Sequence, residues 1–302
     1  MSTLRVLHIS DLHLAGTYRA WYEALHKNTK SLSVHNIDAL NALTEIIYNW
    51  RDHLDAILIT GDIAVTGLKS DLQCAQEFLE SPPLKAFDKP IILVPGNHDR
   101  YRNILGFPGN RFYSYLISYW NAGEGGVQCS LLPNENTPML AIICCDFSLN
   151  NTSDSNTLRG IWGQGRVYKE RLQNLVQHTK NTLKLYPSCA VIWMVHFAPK
   201  LEDYFSSLKF KKHLKLINSE KLIEQAEKAG VRYIFCGHTH LSKEYQIIES
   251  SVWVICAGTS TCTGQDEDTK IHLREIHIES GKVIKIRSRQ LTYDQERQLF
   301  QL

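Results

Sequence analysis

The chain has 302 residues, of which 43% are hydrophobic and 21% are charged. This composition provides enough apolar surface for a sizeable core and excludes a mainly disordered chain, while 17 Gly and 9 Pro exclude a collagen-like or linker-dominated one. The net charge of +2 at pH 7 creates no strong field that would attract nucleic acid or an anionic membrane, so neither partner is indicated.

The first residues lack the basic head, long apolar run and cleavage site of a secretory signal. The most apolar stretches, 139–145 and 190–195, are far shorter than the roughly 18 residues that span a bilayer. The eight cysteines form no CxxC pair, and several lie in apolar strand-like runs, where a reduced thiol packs as a small hydrophobe. We therefore expect a soluble, reduced, cytoplasmic protein.

Strands and helices alternate in the first half of the chain. Strands are predicted at Arg5–Ser10, Ala56–Thr60 and Pro90–Val94. Between them, apolar residues at helical spacing follow Asn36, a candidate N-cap, and Ser70–Gln73 has the pattern of a capping box. This alternation is typical of βαβ units and a largely parallel sheet.

The second half continues the alternation and then changes character. Strands are predicted near 139–146, 189–196 and 231–236, and helices at 166–184 and 219–229. No low-complexity linker or internal repeat separates the halves, so we expect residues 1–302 to form a single domain with two sheets in its core. After residue 240, short antiparallel strands are predicted at 245–248, 252–257, 271–278 and 283–287, the last two joined by a turn at 279–282.

Side chains that can bind metal ions lie at the carboxyl ends of the predicted strands, where open α/β sheets place ligands. Because residues two apart in an extended segment face the same way, Asp11 should pair with His13, and His238 with His240. These donors outnumber what one divalent ion can use, so two adjacent ions sharing a carboxylate are expected, and His/Asp/Asn donors without cysteine suit Mn, Fe or Zn. The strand ends carry Asp11-Leu12-His13, Gly61-Asp62, Gly96-Asn97-His98-Asp99, His196 and Gly237-His238-Thr239-His240.

Taken in this order, the five motifs resemble those of the calcineurin-like metallophosphoesterase superfamily, from residue 9 to about residue 262. The resemblance implies an α/β fold, a four-layer αββα sandwich of two mixed β-sheets flanked by helices, with a two-metal site. It implies Asp62 as the carboxylate that bridges the two ions. The implied ligands are Asp11, His13, Asp62 and His240 for the first ion, and Asp62, Asn97, His196 and His238 for the second.

The resemblance also implies the chemistry. Two cations about 3.5–4 Å apart polarise a phosphoryl oxygen and lower the pKa of a water held between them, so that a bridging hydroxide attacks phosphorus in line with the leaving oxygen. His98 is implied as the general acid for the leaving group, and Asp99 as the residue that orients its ring through the far nitrogen.

Within the superfamily, the compact motif spacing, residues 96–99 and the stretch Ala257–Cys262 resemble bacterial class III cyclic-nucleotide phosphodiesterases. A 3′,5′-cyclic nucleotide phosphodiesterase is therefore the first hypothesis, and phosphodiester hydrolysis is the broader one. The alternatives are a phospholipid-precursor pyrophosphatase, a nuclease, a phosphomonoesterase and a protein-binding scaffold without catalysis. The expected partner is a small phosphoester substrate, and a homodimer is one of the oligomeric states left open.

Two aromatic segments and one basic run have alternative interpretations. Residues 18–22 and 101–120 follow metal-binding motifs, and the helical spacing in the second favours core packing. We expect a cap segment at about 100–135 whose rim could stack on a ring, and a solvated helix face for the basic run 209–215 rather than a phosphate-binding groove. The remaining histidines lack partners at ligand spacing and are expected to be structural or on the surface, including His8, His26, His35, His53, His178, His213, His272 and His277.

Overall fold

The computed structural model describes residues 1–16, 35–100, 109–123, 126–149, 163–200, 214–263 and 269–302. The aromatic segment 18–22, residues 101–108 and residues 209–213 of the basic run lie outside the described residues. Within the described ranges, no helix is long and apolar enough to cross a membrane.

Helices and strands are interleaved up to residue 236, and the described residues after it form strands and turns but no helix. The strands are β1 (Ser2–Ile9), β2 (Ala56–Ile59), β3 (Ile91–Leu93), β4 (Val127–Leu132), β5 (Leu140–Cys145), β6 (Gly165–Arg166), β7 (Ala190–Met194), β8 (Leu216–Ile217), β9 (Tyr233–Cys236), β10 (Ser242–Gln246), β11 (Trp253–Ala257), β12 (Lys270–Glu279), β13 (Lys282–Asp294) and β14 (Leu299–Gln301). The helices are α1 (Ile37–Trp50), α2 (Lys69–Glu80), α3 (Asn97–Arg100), α4 (Arg111–Tyr115), α5 (Lys169–Leu185) and α6 (Ser219–Lys228).

The two predicted helix starts have different outcomes. The Asn36 side chain accepts a hydrogen bond of 3.0 Å from the Ala39 amide, which confirms the N-cap of α1. The capping box at Ser70–Gln73 was wrong, because α2 begins at Lys69 and its N-cap residue makes no side-chain bond. The Ser70 hydroxyl instead donates to its neighbour Asp71, a residue that also accepts a bond from the Gly16 amide.

The described strands form two six-stranded sheets and one short pair, β6 with β8. The first sheet has the order β14-β13-β12-β1-β2-β3, with β1, β2 and β3 parallel and β12 antiparallel to β1. The second has the order β10-β11-β9-β7-β5-β4, in which only the two edge strands run antiparallel to their neighbours. The hairpin at 279–282 was predicted correctly, but β12 and β13 are longer than expected, and β4, β6, β8 and β14 were missed.

Two apolar clusters define the layers. Residues of the inner face of the second sheet, such as Ile142 and Ile192, pack with the first sheet and with α1 and α2 in one cluster. Residues of the outer face, such as Ile143 and Trp193, pack with α5 and α6 in the other. The described elements therefore form the four-layer αββα arrangement that the resemblance implied.

The described part of the predicted cap packs as core. Phe112, Leu116 and Trp120 are fully buried in the first apolar cluster, and the Tyr119 hydroxyl donates to the Leu79 carbonyl at 3.2 Å. The apolar side chains at helical spacing therefore serve core packing here, because they complete a layer of the sandwich. A rim over the site and the single-domain organisation stay predictions.

Candidate metal centre

The metal-binding motifs lie on turns that follow β1, β2, β3, β7 and β9. The turns after β1 and β2 run side by side, because the Asp11 amide donates to the Gly61 carbonyl and the His13 amide to the Asp62 carbonyl, each at 3.0 Å. The turn after β9 joins them from the other sheet, through the His238 amide, which donates to Asp11 Oδ2 at 2.9 Å. Ligands from both sheets are thereby brought to one edge of the sandwich.

Five of the predicted ligands have left-handed backbone conformations, which non-glycine residues adopt only at a cost of roughly 1 kcal/mol or more. The prediction that each Asp/His or His/His pair lies in extended chain was therefore wrong. The strands end before these residues, and left-handed turns carry them. Asp11 and His13 lie in one group of donors as predicted, whereas His238 and His240 lie in two different groups. The φ angles are 51° at Asp11, 47° at His13, 50° at Asp62, 71° at His238 and 53° at His240.

Two glycines allow close approach between the turns. Gly61 has a φ of +96°, and a Cβ atom there would lie 2.5 Å from Nδ1 of His196. A Cβ atom at Gly237 would collide with the Ser10 hydroxyl. A larger residue at either position would displace the ligand turns.

Asp11, His13 and His240 form the first cluster of metal-binding side chains. Nε2 of His13 lies 3.0 Å from Nε2 of His240, and these two nitrogens lie 3.9 Å and 3.4 Å from Asp11 Oδ1. The other carboxylate oxygen of Asp11 accepts bonds from the Ser10 hydroxyl at 2.5 Å and from the His238 amide. Oδ1 is buried without a hydrogen-bond partner and faces the two imidazoles, as a cation ligand would.

Asp62, His196 and His238 form the second cluster. Nε2 of His196 lies 3.1 Å from both Asp62 Oδ2 and Asn97 Oδ1. Its Nδ1–H donates to the Thr60 carbonyl at 2.7 Å, which leaves Nε2 as the nitrogen that faces the other donors. Nε2 of His238 is buried without a hydrogen-bond partner.

The buried histidines of the two clusters differ in charge. Burial lowers the pKa of His13 and of His238 well below 6.5, so both imidazoles are neutral at pH 7. Burial also lowers the pKa of His196, but the neighbouring Asp62 carboxylate outweighs it and raises that pKa to about 9. Burial raises the pKa of Asp62, but the charges of His196 and His98 hold it well below its ordinary value. Without metal, the second cluster therefore contains an ion pair.

The donor set fits two divalent cations. Polar atoms in a protein interior are nearly always paired, yet Asp11 Oδ1 and His238 Nε2 are buried and unpaired, one in each cluster. Imidazole, carboxylate and amide donors without thiolate suit Mn, Fe or Zn. Asn97 lies against the second cluster as predicted, whereas the bridging role of Asp62 stays a prediction.

His98 lies beside the first cluster, with its ring centroid 4.7 Å from that of His13. Its backbone amide donates to Asp62 Oδ1 at 2.8 Å, and its Nδ1–H donates to the Val65 carbonyl at 2.9 Å. The ring is therefore held through Nδ1, and Nε2 is the nitrogen that remains for a substrate.

Asp99 does not make the contact that the resemblance implied. Its buried carboxylate accepts bonds from the Ala64 amide at 2.8 Å and from the Gly96 amide at 2.9 Å. Because both oxygens are used by the backbone of neighbouring turns, Val65 and not Asp99 orients the His98 ring. Burial, reinforced by the charge of Asp62, raises the pKa of Asp99 to about 7. Its catalytic role stays a prediction.

The sequence analysis did not predict a buried ion pair beside the turn of residues 96–99. Nη1 of Arg100 lies 2.6 Å from Oδ2 of Asp146, and both side chains are inaccessible to solvent. Asp146 also accepts a bond from the Ser148 amide, and the Ser148 hydroxyl donates to the Gly96 carbonyl. Asp146 is a carboxylate at the end of a predicted strand, which is the signal that could have identified it.

The stretch 257–262 supports the first turn. The Thr259 hydroxyl donates to the Asp11 carbonyl at 2.8 Å, and the Thr261 hydroxyl donates to the Leu12 carbonyl at 2.5 Å. The stretch thus holds the backbone that carries the first cluster.

The chain is similar to several known proteins. A 92-residue stretch is 32% identical to the glycerophosphodiester phosphodiesterase GpdQ of Enterobacter lignolyticus (strain SCF1), covering 30% of this chain and 28% of that protein. The structure of purple acid phosphatase PPD1 from yellow lupin (Lupinus luteus) matches with a TM-score of 0.57 and 14% identity, over 98% of this chain and 55% of that one. A putative 5′-nucleotidase from Staphylococcus aureus matches with a TM-score of 0.50 and 13% identity, over 96% of this chain and 54% of that one.

At these identities the solved structures support the fold alone, and this chain spans about half the length of each. The model of the family described as calcineurin-like phosphoesterase matches residues 4–242. That range is most of the chain and includes every side chain of the two clusters. The chain therefore belongs to the calcineurin-like phosphoesterase family.

Proposed function

We propose that this chain is a phosphodiesterase that hydrolyses small phosphodiesters with two divalent or transition-metal ions. The observation that carries the proposal is the pair of buried clusters, in which Asp11 Oδ1 and His238 Nε2 have no hydrogen-bond partner. Asp11, His13 and His240 would hold one ion, and the second cluster together with Asn97 would hold the other. When bound, the two cations supply Lewis-acid polarisation of the phosphoryl oxygen and activation of water.

His98 is the proposed acid for the leaving oxygen. The Val65 carbonyl holds its Nδ1–H, so Nε2 can carry the proton that a departing alkoxide needs. Its amide bond to Asp62 ties this acid to a metal ligand, so the two functions share one rigid turn. The buried Arg100–Asp146 ion pair lies next to the same turn and supports it.

Phosphodiesters are favoured over other phosphoesters by the 32% identical stretch shared with a glycerophosphodiester phosphodiesterase. A 3′,5′-cyclic nucleotide belongs to the same chemical class, since it too is a phosphodiester whose hydrolysis expels an alkoxide, in this case a ribose oxygen. Both substrates are therefore part of the proposal, and neither leaving group departs readily without a proton.

The test is a substrate panel assayed with manganese-loaded protein whose metal content is measured by elemental analysis. The panel contains a glycerophosphodiester, 3′,5′-cyclic AMP, bis(p-nitrophenyl) phosphate, p-nitrophenyl phosphate, a lipid-linked pyrophosphate and single-stranded DNA. We expect close to two ions per chain, loss of activity with chelator, and turnover of small diesters above the monoester.

Asp62→Asn protein is purified in parallel, and any activity in that preparation measures contaminating phosphatases. His178→Ala changes an exposed histidine outside the clusters, so it is the control that should behave as wild type. Active protein with one ion or none would refute the two-metal proposal. Preference for the monoester, the pyrophosphate or DNA would select one of the alternative activities. Two bound ions without turnover of any substrate would favour a scaffold.

A further inference from the structure

A buried polar network lies behind His196, between the two sheets. Arg274 on β12 and His8 on β1 are both inaccessible to solvent. Nε–H of Arg274 donates to Nδ1 of His8 at 3.1 Å, and Nε2 of His8 lies 3.1 Å from the Thr60 hydroxyl oxygen. Because a guanidinium can only donate, Nδ1 of His8 must accept, and Nε2 therefore carries the proton that is donated to Thr60.

The network is held rigidly in the core. The His8 ring stacks on Phe235 with centroids 5.0 Å apart, and the Arg274 guanidinium lies 5.5 Å from the same ring. The guanidinium also donates to Glu244 at 2.5 Å and to the Ser288 hydroxyl at 3.1 Å. Burial, reinforced by the charge of Arg274, lowers the pKa of His8 well below 6.5, so the direction of the hydrogen bonds persists at neutral pH.

Thr60 connects this network to the metal centre. It directly follows β2 and precedes Gly61, where the chain turns into Asp62. Its amide donates to the Ile9 carbonyl at 3.1 Å, and its carbonyl accepts the Nδ1–H of His196 at 2.7 Å. Its hydroxyl receives the bond from His8. One residue therefore anchors the turn of one ligand and orients the ring of another.

We propose that Arg274 and His8 are positioning residues for the second cluster: they hold Thr60 so that His196 presents Nε2 to a metal ion. The inference rests on the proposed function in one respect, that His196 is a metal ligand. A buried arginine is expensive to desolvate and the core could be filled by apolar residues. Positioning a ligand gives this network a role that packing does not require.

The test compares Thr60→Val, which keeps the shape and the carbonyl but removes the hydroxyl, with Thr60→Ser, which keeps the hydroxyl. Metal-free protein is titrated with Co²⁺, and binding is followed by calorimetry and by the visible spectrum of the bound ion. We expect Thr60→Val to weaken one of the two ions by about 10–100-fold, the usual effect of losing a residue that orients a ligand, and to change its spectrum. Thr60→Ser should bind both ions with affinities close to those of wild type.

Thr179→Val is the matched control for loss of a buried hydroxyl. Thr179 is fully buried, and its hydroxyl accepts a bond of 2.9 Å from the Trp193 indole in the other apolar cluster. Thr179→Val should lower the thermal stability of the metal-free protein as Thr60→Val does, but leave both Co²⁺ affinities unchanged.

His8→Phe tests the preceding link, because the ring can still stack on Phe235 but carries no nitrogen. It should weaken the same ion, and the double variant with Thr60→Val should be no worse than the more severe single variant. If His8→Phe does not fold, the comparison of Thr60→Val with Thr60→Ser still tests the inference.

Wild-type affinity for both ions in Thr60→Val would overturn the inference, as would equal weakening in Thr179→Val or failure of Thr60→Ser to restore binding. In each of these outcomes wild type still binds two ions, so the metal centre itself stands. A wild-type chain that takes up no second ion would instead overturn the metal centre, and this inference with it.

Discussion

Two groups of buried histidines lie near the strand ends, and they differ in how their ring nitrogens are used. In the core, His8 and His272 have a hydrogen-bond partner on each ring nitrogen. In the metal centre, Nδ1 of His13 and Nε2 of His238 are buried without one.

Burial and pKa do not separate these groups, since burial lowers the pKa of all four rings, that of His272 to about 3. What their ring nitrogens face does separate them. Both nitrogens of His8 and of His272 bond to groups outside the two clusters, whereas Nε2 of His13 and Nε2 of His196 face other metal-binding side chains, and Nε2 of His238 has no hydrogen-bond partner. Hydrogen-bond partners likewise distinguish the two carboxylates: Asp11 has one oxygen without a partner, whereas both oxygens of Asp99 accept bonds.

The most severe test of this comparison is Asp62→Asn. The change keeps the shape of the side chain but removes a charge that two cations would share, so both ions and turnover should be lost. The loss should exceed the roughly 10–100-fold that follows changes around a ligand. Asp11→Asn should release one ion only. Elemental analysis and turnover of a diester measure both, and Asp62→Asn that retains two ions and near-wild-type turnover would disprove the bridge.

A smaller but selective effect is expected for His98→Ala. Because His98 is proposed as an acid and not a ligand, both ions should remain. Hydrolysis of a ribose or glycerol diester should fall by most of the roughly 10²–10⁴-fold that general acid catalysis typically supplies. Hydrolysis of a p-nitrophenyl diester should fall by much less, because its leaving group is a stable phenolate. Equal losses on both substrates would indicate a role in binding, and loss of an ion would make His98 a ligand.

Replacing one histidine of each group by leucine tests whether the two groups have different roles. His272→Leu leaves the Ala257 carbonyl without its imidazole donor and removes one partner from each of two hydroxyls, so it should lower the free energy of unfolding by about 1–3 kcal/mol while both ions stay bound. His238→Leu removes an unpaired nitrogen and one bond to Gly163, so it should cost less stability in the metal-free protein but release an ion. Urea unfolding and elemental analysis measure the two effects, and the reverse pattern would refute the distinction.

The smallest effect concerns pH. Burial, reinforced by the charge of Arg274, lowers the pKa of His272 to about 3 in the folded protein, against about 6.5 in the unfolded chain. Between these values the unfolded state binds a proton that the folded state excludes, so stability falls as the pH drops below 6.5. From pH 7 to pH 5.5, metal-free His272→Leu should lose roughly 1 kcal/mol less stability than wild type. Urea unfolding that shows the same pH dependence for both proteins would contradict this assignment.

Much of the site could be predicted from the sequence because its chemistry is local. Each short motif directly follows an apolar strand, and strand ends in α/β sheets converge on one edge, so the donors and their order were visible in the chain. The N-cap at Asn36 and the hairpin at 279–282 were predictable for the same reason, since each depends on residues within three or four positions.

The set of donors and the strands that carry them are therefore encoded locally in the chain. The tertiary structure alone decided the left-handed turns that aim Asp11 and His13, the replacement of Asp99 by Val65 as the partner of His98, and the burial of Arg100 against Asp146. These features depend on contacts between segments that are distant in the chain. Hydrogen-bond partners are chosen by what packing brings within about 3 Å, and no local pattern encodes that choice.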